Sequence, residues 1–237
     1  MAKIEYEKNI DNFDIRNFFK RWQFFYFFIA NVFGPMMFCG LSAVAFLKRY
    51  PSEGKVLNLG SGPRILSKGV VNVDFYPYTG VEIVADINSV PLPDASVARI
   101  ISDNVLEHTS LPSKAVLEMR RLLCKDGLAY ISTPFLYPFH TSPSDYQRWT
   151  DEGLRELFKD FEMVEIGVRA GPFSALTVYL NHLFSIIFSF GSHKIASILL
   201  NLIMFVTFPI KFLDLVFNHC PRSVEIAAVL YCVVRKK

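Results

Sequence analysis

The chain has 237 residues, of which 51% are hydrophobic and 20% charged; phenylalanine alone occurs 23 times, and the formal net charge is +3. The mean hydropathy is +0.29. These values exclude intrinsic disorder, which needs low hydrophobicity and high net charge, and the charge is too small for the footprint of a nucleic-acid binder. They also exceed what an ordinary soluble domain of this size can bury. The four cysteines, Cys39, Cys124, Cys220 and Cys232, form no CxxC and have no close histidine partner. That spacing gives neither a zinc site nor a disulfide framework, so no metal is expected and a reduced, cytosolic setting is the simpler reading.

In chain order, the first apolar stretch covers residues 22–47, with no Asp, Glu, Lys, Arg or His. A helix of that length reaches about 39 Å, against a hydrocarbon core of about 30 Å. Lys20-Arg21 and Lys48-Arg49 flank it, so the positive-inside signal points both ways. Gly34-Pro35 interrupts its middle, where proline kinks a helix. A bent helix that enters and leaves one leaflet satisfies both flanks and is preferred over a tilted single span. The stretch is too long, and starts too far into the chain, for a cleaved signal peptide. Residues 1–49 therefore read as an N-terminal apolar, membrane-associating helical segment.

Residues 50–172 differ in character. Apolar runs at 55–59, 70–73, 81–84, 97–102, 128–132 and 162–168 alternate with helical patterns, several of them apolar on both faces, as strands of a covered parallel sheet are. Ser113 is the expected cap of a helix carrying Val116, Leu117, Met119, Arg120 and Leu123, with Gly127 ending it. A second helix is expected to begin at Thr150, with Asp151 and Glu152 favoured in its first turn by the helix dipole. Residues 173–190 and 195–217 form two apolar helices joined by a turn at 191–194, and the region 173–221 reads as an inserted helical hairpin. It packs in a core or contacts a bilayer, and the lack of a polar stripe along 195–210 favours the bilayer. The last strand, 226–234, lies beyond the hairpin. The fold class is thus α/β: a Rossmann-like, doubly wound, seven-stranded sheet built from 50–172 and 222–237, with the apolar hairpin inserted before its last strand.

Gly60-Ser61-Gly62 directly follows the first strand, where glycine lets a ligand approach the backbone. Asp74 ends the second strand, where a carboxylate can accept both hydroxyls of a ribose, and Asp86 ends the third. With Leu92-Pro93-Asp94, the stretch 101–108 (ISDNVLEH), the stretch 120–127 (RRLLCKDG) and Thr133-Pro134-Phe135, the pattern resembles the class I S-adenosylmethionine-dependent methyltransferases over roughly residues 54–170. The later segments 134–140 and 145–150 are similar to a membrane-associated subgroup of them. The resemblance implies S-adenosylmethionine as cofactor. Gly60, Ser61 and Gly62 would face its methionine part, Asp74 would bind the ribose, Phe75 would stack near the adenine, and Asp86 would hold the adenine amino group with Ile87 beside it. Asp103 and Asn104 would line the floor between cofactor and acceptor. Asn58 stands where the family usually has an acidic residue, which weakens the expected grip on the amino group. Only residues 61–69 separate the first two strands, too few for a full first helix.

Methyl transfer needs alignment of acceptor and methyl group above all, and a general base only where a proton must leave. His108 and His140 each follow a strand end and are the candidate bases; His108 equally fits a helix cap. Asp145, Tyr146 and Arg148 form a polar–aromatic cluster that either contacts substrate or fixes its loop by an ion pair. The resulting expectation is a methyltransferase at the membrane surface, facing the cytoplasm, that O-methylates a lipid-linked or other small-molecule acceptor. The alternative is an inactive membrane-associated scaffold, or cofactor-binding module, that keeps the fold.

Overall fold

The structure is a computed structural model that describes residues 32–140 and 144–237. Residues 22–31 of the first apolar stretch lie outside the described residues. The strands are β1 (Val56–Leu59), β2 (Val70–Asp74), β3 (Ile83–Val84), β4 (Val97–Asp103), β5 (Leu123–Pro134), β6 (Phe161–Ala170) and β7 (Val229–Lys236). They form one seven-stranded sheet in the order β3-β2-β1-β4-β5-β7-β6. The pairs through β5 are parallel, and β7 runs antiparallel to both β5 and β6.

The helices are α1 (Ala43–Arg49), α2 (Pro112–Leu122), α3 (Asp151–Leu157), α4 (Pro172–Phe188), α5 (His193–Thr207) and α6 (Asp214–Phe217). One sheet face packs Leu57, Val73, Ile100, Ala129, Leu230 and Cys232 against Ala115, Met119 and Leu122 of α2 and Leu154 of α3. On the other face, Ile101, Tyr130, Tyr231 and Val233 meet Ala43 and Phe46 of α1. The Tyr130 hydroxyl donates to the Leu41 carbonyl at 2.8 Å, tying the incoming chain to the same face.

This distribution corrects two expectations. The winding is less regular than a doubly wound sheet, because β1–β2, β2–β3 and β3–β4 are all joined by loops without helix. The β3–β4 loop is held instead from α2: Arg121 donates to the carbonyls of Leu92 (2.8 Å) and Val90 (3.0 Å), and Glu118 accepts from the Val90 amide at 2.7 Å. The first apolar stretch also does not continue as a helix to residue 49. The chain turns at Gly34-Pro35, runs as irregular backbone with a bridge from Phe38 to Ala170, and enters α1 only at Ser42, whose hydroxyl accepts from the Ala45 amide. Its last part is used to cover a sheet face that the missing crossover helices leave bare.

Three local boundaries also shift. The helix expected to start at Ser113 begins with Pro112, whose missing N–H and fixed φ suit the first turn. It ends at Leu122, not Gly127. Residues 124–127 form a bulge in β5, where the pairing with β4 slips between Val97↔Leu123 and Arg99↔Leu128 and Asp126 has φ +60°. Ile226, read as the start of the last strand, ends the 3-10 turn Ser223–Ile226 instead, and β7 begins at Val229. The α3 start stands as read: the Thr150 hydroxyl accepts from the Gly153 amide at 3.0 Å.

Phe46 has no exposed surface and stacks at a tilt on Tyr130, 5.7 Å between ring centroids. Phe46→Ala is expected to destabilise the domain by about 3–5 kcal/mol, the usual range for emptying an aromatic core position. Chemical unfolding followed by tryptophan fluorescence measures it, and a loss under about 1 kcal/mol would mean that α1 is not part of the core.

Candidate active site

The parallel strands deliver two groups of side chains to their carboxyl ends. The first is the loop after β1. Gly60 adopts φ +65° and Gly62 φ +54°, in the region where only glycine is unstrained. The amides of Gly60 and Ser61 donate to the Val73 carbonyl of β2, folding the loop back over the sheet edge. Asp74, buried at the end of β2, fixes the tip: its Oδ2 accepts from the Gly62 amide at 2.7 Å and its Oδ1 from the Tyr76 amide at 2.9 Å. A Cβ on Gly60 would meet the Val105 side chain at 2.5 Å, whereas one on Gly62 would meet nothing within 4 Å. The loop is thus packed underneath and open in front.

Around this loop, Phe75 is 64% exposed, edge-on to Tyr76 with ring centroids 5.3 Å apart. Asp86 is exposed, and its Oδ1 accepts from the Asn88 amide at 2.8 Å, while Ile87 is half-buried against the core. Asp103, at the end of β4, takes an ion pair from Arg64 at 2.9 Å and a hydrogen bond from the Ser132 hydroxyl. Asn104 follows with φ +57°. Asn58 points elsewhere. Its buried amide donates to Asn72 Oδ1 at 3.0 Å, and Asn72 donates to the Gly80 carbonyl at 2.9 Å, so this pair links β1 to β2 and the β2–β3 turn. Arg64 and Ser132 were not legible as site residues, because their partner Asp103 is contributed by a third segment.

The second group collects after β4 and β5. Leu106–His108 form a 3-10 turn, and His140 lies beyond the end of β5. The two imidazole rings are 5.1 Å apart, edge to face, with Tyr137 5.0 Å from His140. His108 Nδ1 sits 2.5 Å from the Ser144 carbonyl. A carbonyl only accepts, so Nδ1 carries the proton and Nε2 is left as the acceptor. Asp145 and Arg148 are locked together by a two-pronged ion pair, and Arg148 also donates to the Pro138 and Tyr137 carbonyls. This grip by Arg148 holds the Asp145 carboxyl down at about 2. Asp145 Oδ2 in turn accepts from the His140 amide at 2.9 Å and lies 3.3 Å from His140 Nδ1. Burial lowers the His140 pKa and keeps its ring neutral. Asp145 and Arg148 therefore hold the His140 loop, while Tyr146 lines an open cavity of about 280 Å³ with Phe139 and Gln147.

The residue that sequence reasoning missed is Glu107. Its carboxyl is fully buried, and neither oxygen has a hydrogen-bond partner among the described residues. Burial pushes its pKa up to about 8. The signal was an acidic residue set between Leu106 and the candidate base His108, immediately past a buried strand.

Comparison with known proteins bears on the fold. Residues 61–131 match the family model described as a methyltransferase domain. An uncharacterised 37.1 kDa protein in transposon TN4556 of Streptomyces fradiae is 29% identical over 87 residues, 37% of this chain. The chain matches only 25% of that relative's length. A S-adenosylmethionine-dependent methyltransferase of Thermotoga maritima superposes with a TM-score of 0.53 at 15% identity, covering 94% of this chain and all of that one. The 1,6-didemethyltoxoflavin-N1-methyltransferase of Burkholderia thailandensis, solved with bound 1,6-didemethyltoxoflavin and S-adenosylhomocysteine, superposes at 0.51 with 13% identity, over 82% and 76% of the two chains. The strand order, the glycine loop and the matched stretch agree: this chain has the class I methyltransferase fold and carries a methyltransferase domain match within it.

Proposed function

We propose that the protein is an S-adenosylmethionine-dependent methyltransferase working at a membrane surface on a lipid-linked or similarly apolar acceptor. The observation that carries the first half is the Gly60–Gly62 loop clamped to Asp74 at the start of the matched stretch 61–131. The residues present fit the cofactor. The space in front of Gly62 is open, with nothing within 4 Å of where a Cβ would stand, Phe75 offers an unburied ring at the same edge, and the Asp74 oxygens keep lone pairs for ribose hydroxyls after accepting one amide each. Gly60, Ser61, Gly62 and Asp74 would hold the methionine and ribose portions, Phe75, Asp86 and Ile87 the adenine, with Asp103 and Asn104 beneath. When bound, the cofactor supplies an electrophilic methyl group. The protein's own part is to orient the acceptor and keep the site dry. His108 and His140 flank the place where an acceptor proton would leave, and O-methylation is the reaction this favours.

The second half of the proposal rests on the region between β6 and β7. Because β7 is antiparallel to both β5 and β6, β6 ends and β7 begins at the edge that holds the site. Helices α4 and α5 leave from that edge. Along α4 the buried positions are Ser174, Ala175, Thr177, Val178, Asn181 and Ser185, four of them polar, and the Thr207 hydroxyl of α5 donates to Asn181 Oδ1 at 2.6 Å. The exposed positions include the large apolar Leu183, Ile186, Ile187, Ile198, Leu202 and Val206, with the polar Ser197 and Asn201 among them on α5. A water-facing pair would place its polar stripe outward; polar and small residues between helices with apolar residues outside is the pattern of helices in lipid. The region His193–Phe217 has a mean hydropathy of 2.0 and is long and apolar enough to cross a membrane. An apolar cavity of about 480 Å³ opens at the base of the pair, lined by Pro172, Phe173, Leu176, Phe217 and Ile226 among others. Tyr179 of α4 lies within interaction range of Arg148, so this face adjoins the second group of site residues.

Calorimetry on detergent-purified protein is expected to detect S-adenosylmethionine binding that Asp74→Ala abolishes. Absence of binding at millimolar cofactor in folded protein would favour the scaffold reading, which the departure at Asn58 motivates. Gly60→Ala should lower thermal stability more than Gly62→Ala. Both carry left-handed strain of about 1–2 kcal/mol, but only the first drives a methyl group into Val105. Wild-type protein should float with phospholipid vesicles after a high-salt wash, and the double variant Ile187→Glu with Val206→Glu should lose most of that flotation. Release of wild-type protein by salt alone would instead point to a covered interface between copies.

A further inference from the structure

Glu107, His108 and His140 bring one carboxylate oxygen and two imidazole nitrogens within 4.8 Å of one another. We infer that this cluster is a binding site for a divalent first-row transition cation. Glu107 is fully buried with both oxygens unpartnered, and a carboxyl so placed is neutralised either by a proton or by a cation bound beside it. The neighbour that could have donated does not. His108 spends its proton on the Ser144 carbonyl, so the nitrogen facing Glu107 Oε1, at 3.8 Å, presents a lone pair. With Glu107 ionised, two acceptors face each other across a gap that a cation would bridge.

The surroundings suit such a site. The Ser144 carbonyl fixes the His108 tautomer, and the Asp145 carboxylate lies 3.3 Å from His140 Nδ1, where the outer partner of a metal-bound imidazole commonly sits. The side chains of His108 and His140 are 19% and 34% exposed, which leaves an entry path from solvent while Glu107 forms the floor. Two imidazoles with one carboxylate select Zn²⁺, Mn²⁺, Fe²⁺ or Co²⁺ over Mg²⁺ or Ca²⁺, which prefer all-oxygen shells. Three protein ligands leave at least one position open for an outside oxygen. The cation site stands on these contacts alone; the further role given to it, fixing the acceptor oxygen and easing loss of its proton, rests on the methyltransferase reading above.

The test uses the full-length protein in detergent, stripped with a chelator and titrated with Co²⁺. One equivalent is expected to bind with visible d–d absorption, and Zn²⁺ should displace it. Glu107→Gln and His140→Ala should each weaken Co²⁺ binding at least about tenfold, and Asp145→Asn by roughly 10–100-fold, as loss of an outer partner does. His140→Ala lies on a half-exposed loop, so it keeps the test valid if the buried Glu107 variant fails to fold. No d–d band in wild-type protein, or a band and affinity unchanged in His140→Ala, would overturn the site and leave Glu107 as a protonated acid. S-adenosylmethionine binding measured on the same samples separates the two proposals: Co²⁺ binding without cofactor binding removes only the methyltransferase role, and cofactor binding without Co²⁺ binding removes only the cation.

Discussion

Strand β7 has to slot between β5 and β6, antiparallel to both, and most of the molecule's organisation follows from that one pairing constraint. Whatever lies between Ala170 and Val229 must leave and return at the carboxyl edge of the parallel strands, where α/β sheets bind their ligands. The apolar helices α4 and α5 therefore emerge beside the glycine loop and the two histidines, with no freedom to sit at the opposite end. The attachment is tight. Asp214, fully buried, accepts from the amides of Phe173 and Ser174 at 2.9 and 2.8 Å and so caps the start of α4. The Met37 amide donates to the Ser174 hydroxyl at 2.8 Å, and Lys211 donates to the Gly34 carbonyl at 2.6 Å. Two charges in this apolar region, Asp214 and Lys211, are thus spent on holding the start of α4 and the Gly34 segment in place.

The same economy shapes the rest of the core. A regular doubly wound sheet buries its two faces under crossover helices, but here the first three crossovers contain none. One face is covered by α2 and α3, and the other by the single short helix α1. An apolar N-terminal segment is thus partly explained by the needs of the sheet: Ala43 and Phe46 are core residues. The exposed apolar surface that remains is concentrated on α4, α5 and the turn between them, where large side chains such as Val206 of α5 (78% exposed) and Phe190 of the turn (91% exposed) face outward.

Electrostatically, the site divides into settled and unsettled carboxylates. Asp74 accepts two backbone amides, Asp103 is held by Arg64 and Ser132, and Asp145 is gripped by Arg148. Each is positioned by neighbours that satisfy it. Glu107 alone among these four is buried without a donor, next to an imidazole whose proton points away. An unsatisfied group of this kind is characteristic of chemistry, because folding stability by itself would favour its removal.

By itself the sequence determined the strand runs, the start of α3, the position of the apolar helix pair and the places of Gly60, Gly62 and Asp74. These are local features: period-two and all-apolar runs, a Thr cap with acidic residues behind it, and glycine where φ turns positive. It also marked His108 and His140, which follow strand ends, without revealing that they meet. Tertiary structure decided the rest. Glu107, His108 and His140 converge only because β4 and β5 are neighbours in the sheet, so a ligand spacing of more than thirty residues carries no local signature. The Asn58–Asn72 link depends on β1–β2 register, and the bulge at 124–127 mimics a helix end because the same residues suit both turns. Whether an apolar stretch covers a sheet or faces outward is set by what packs against it, which composition does not record: Phe46 and Val206 belong to equally apolar segments, and only the fold buries one and exposes the other.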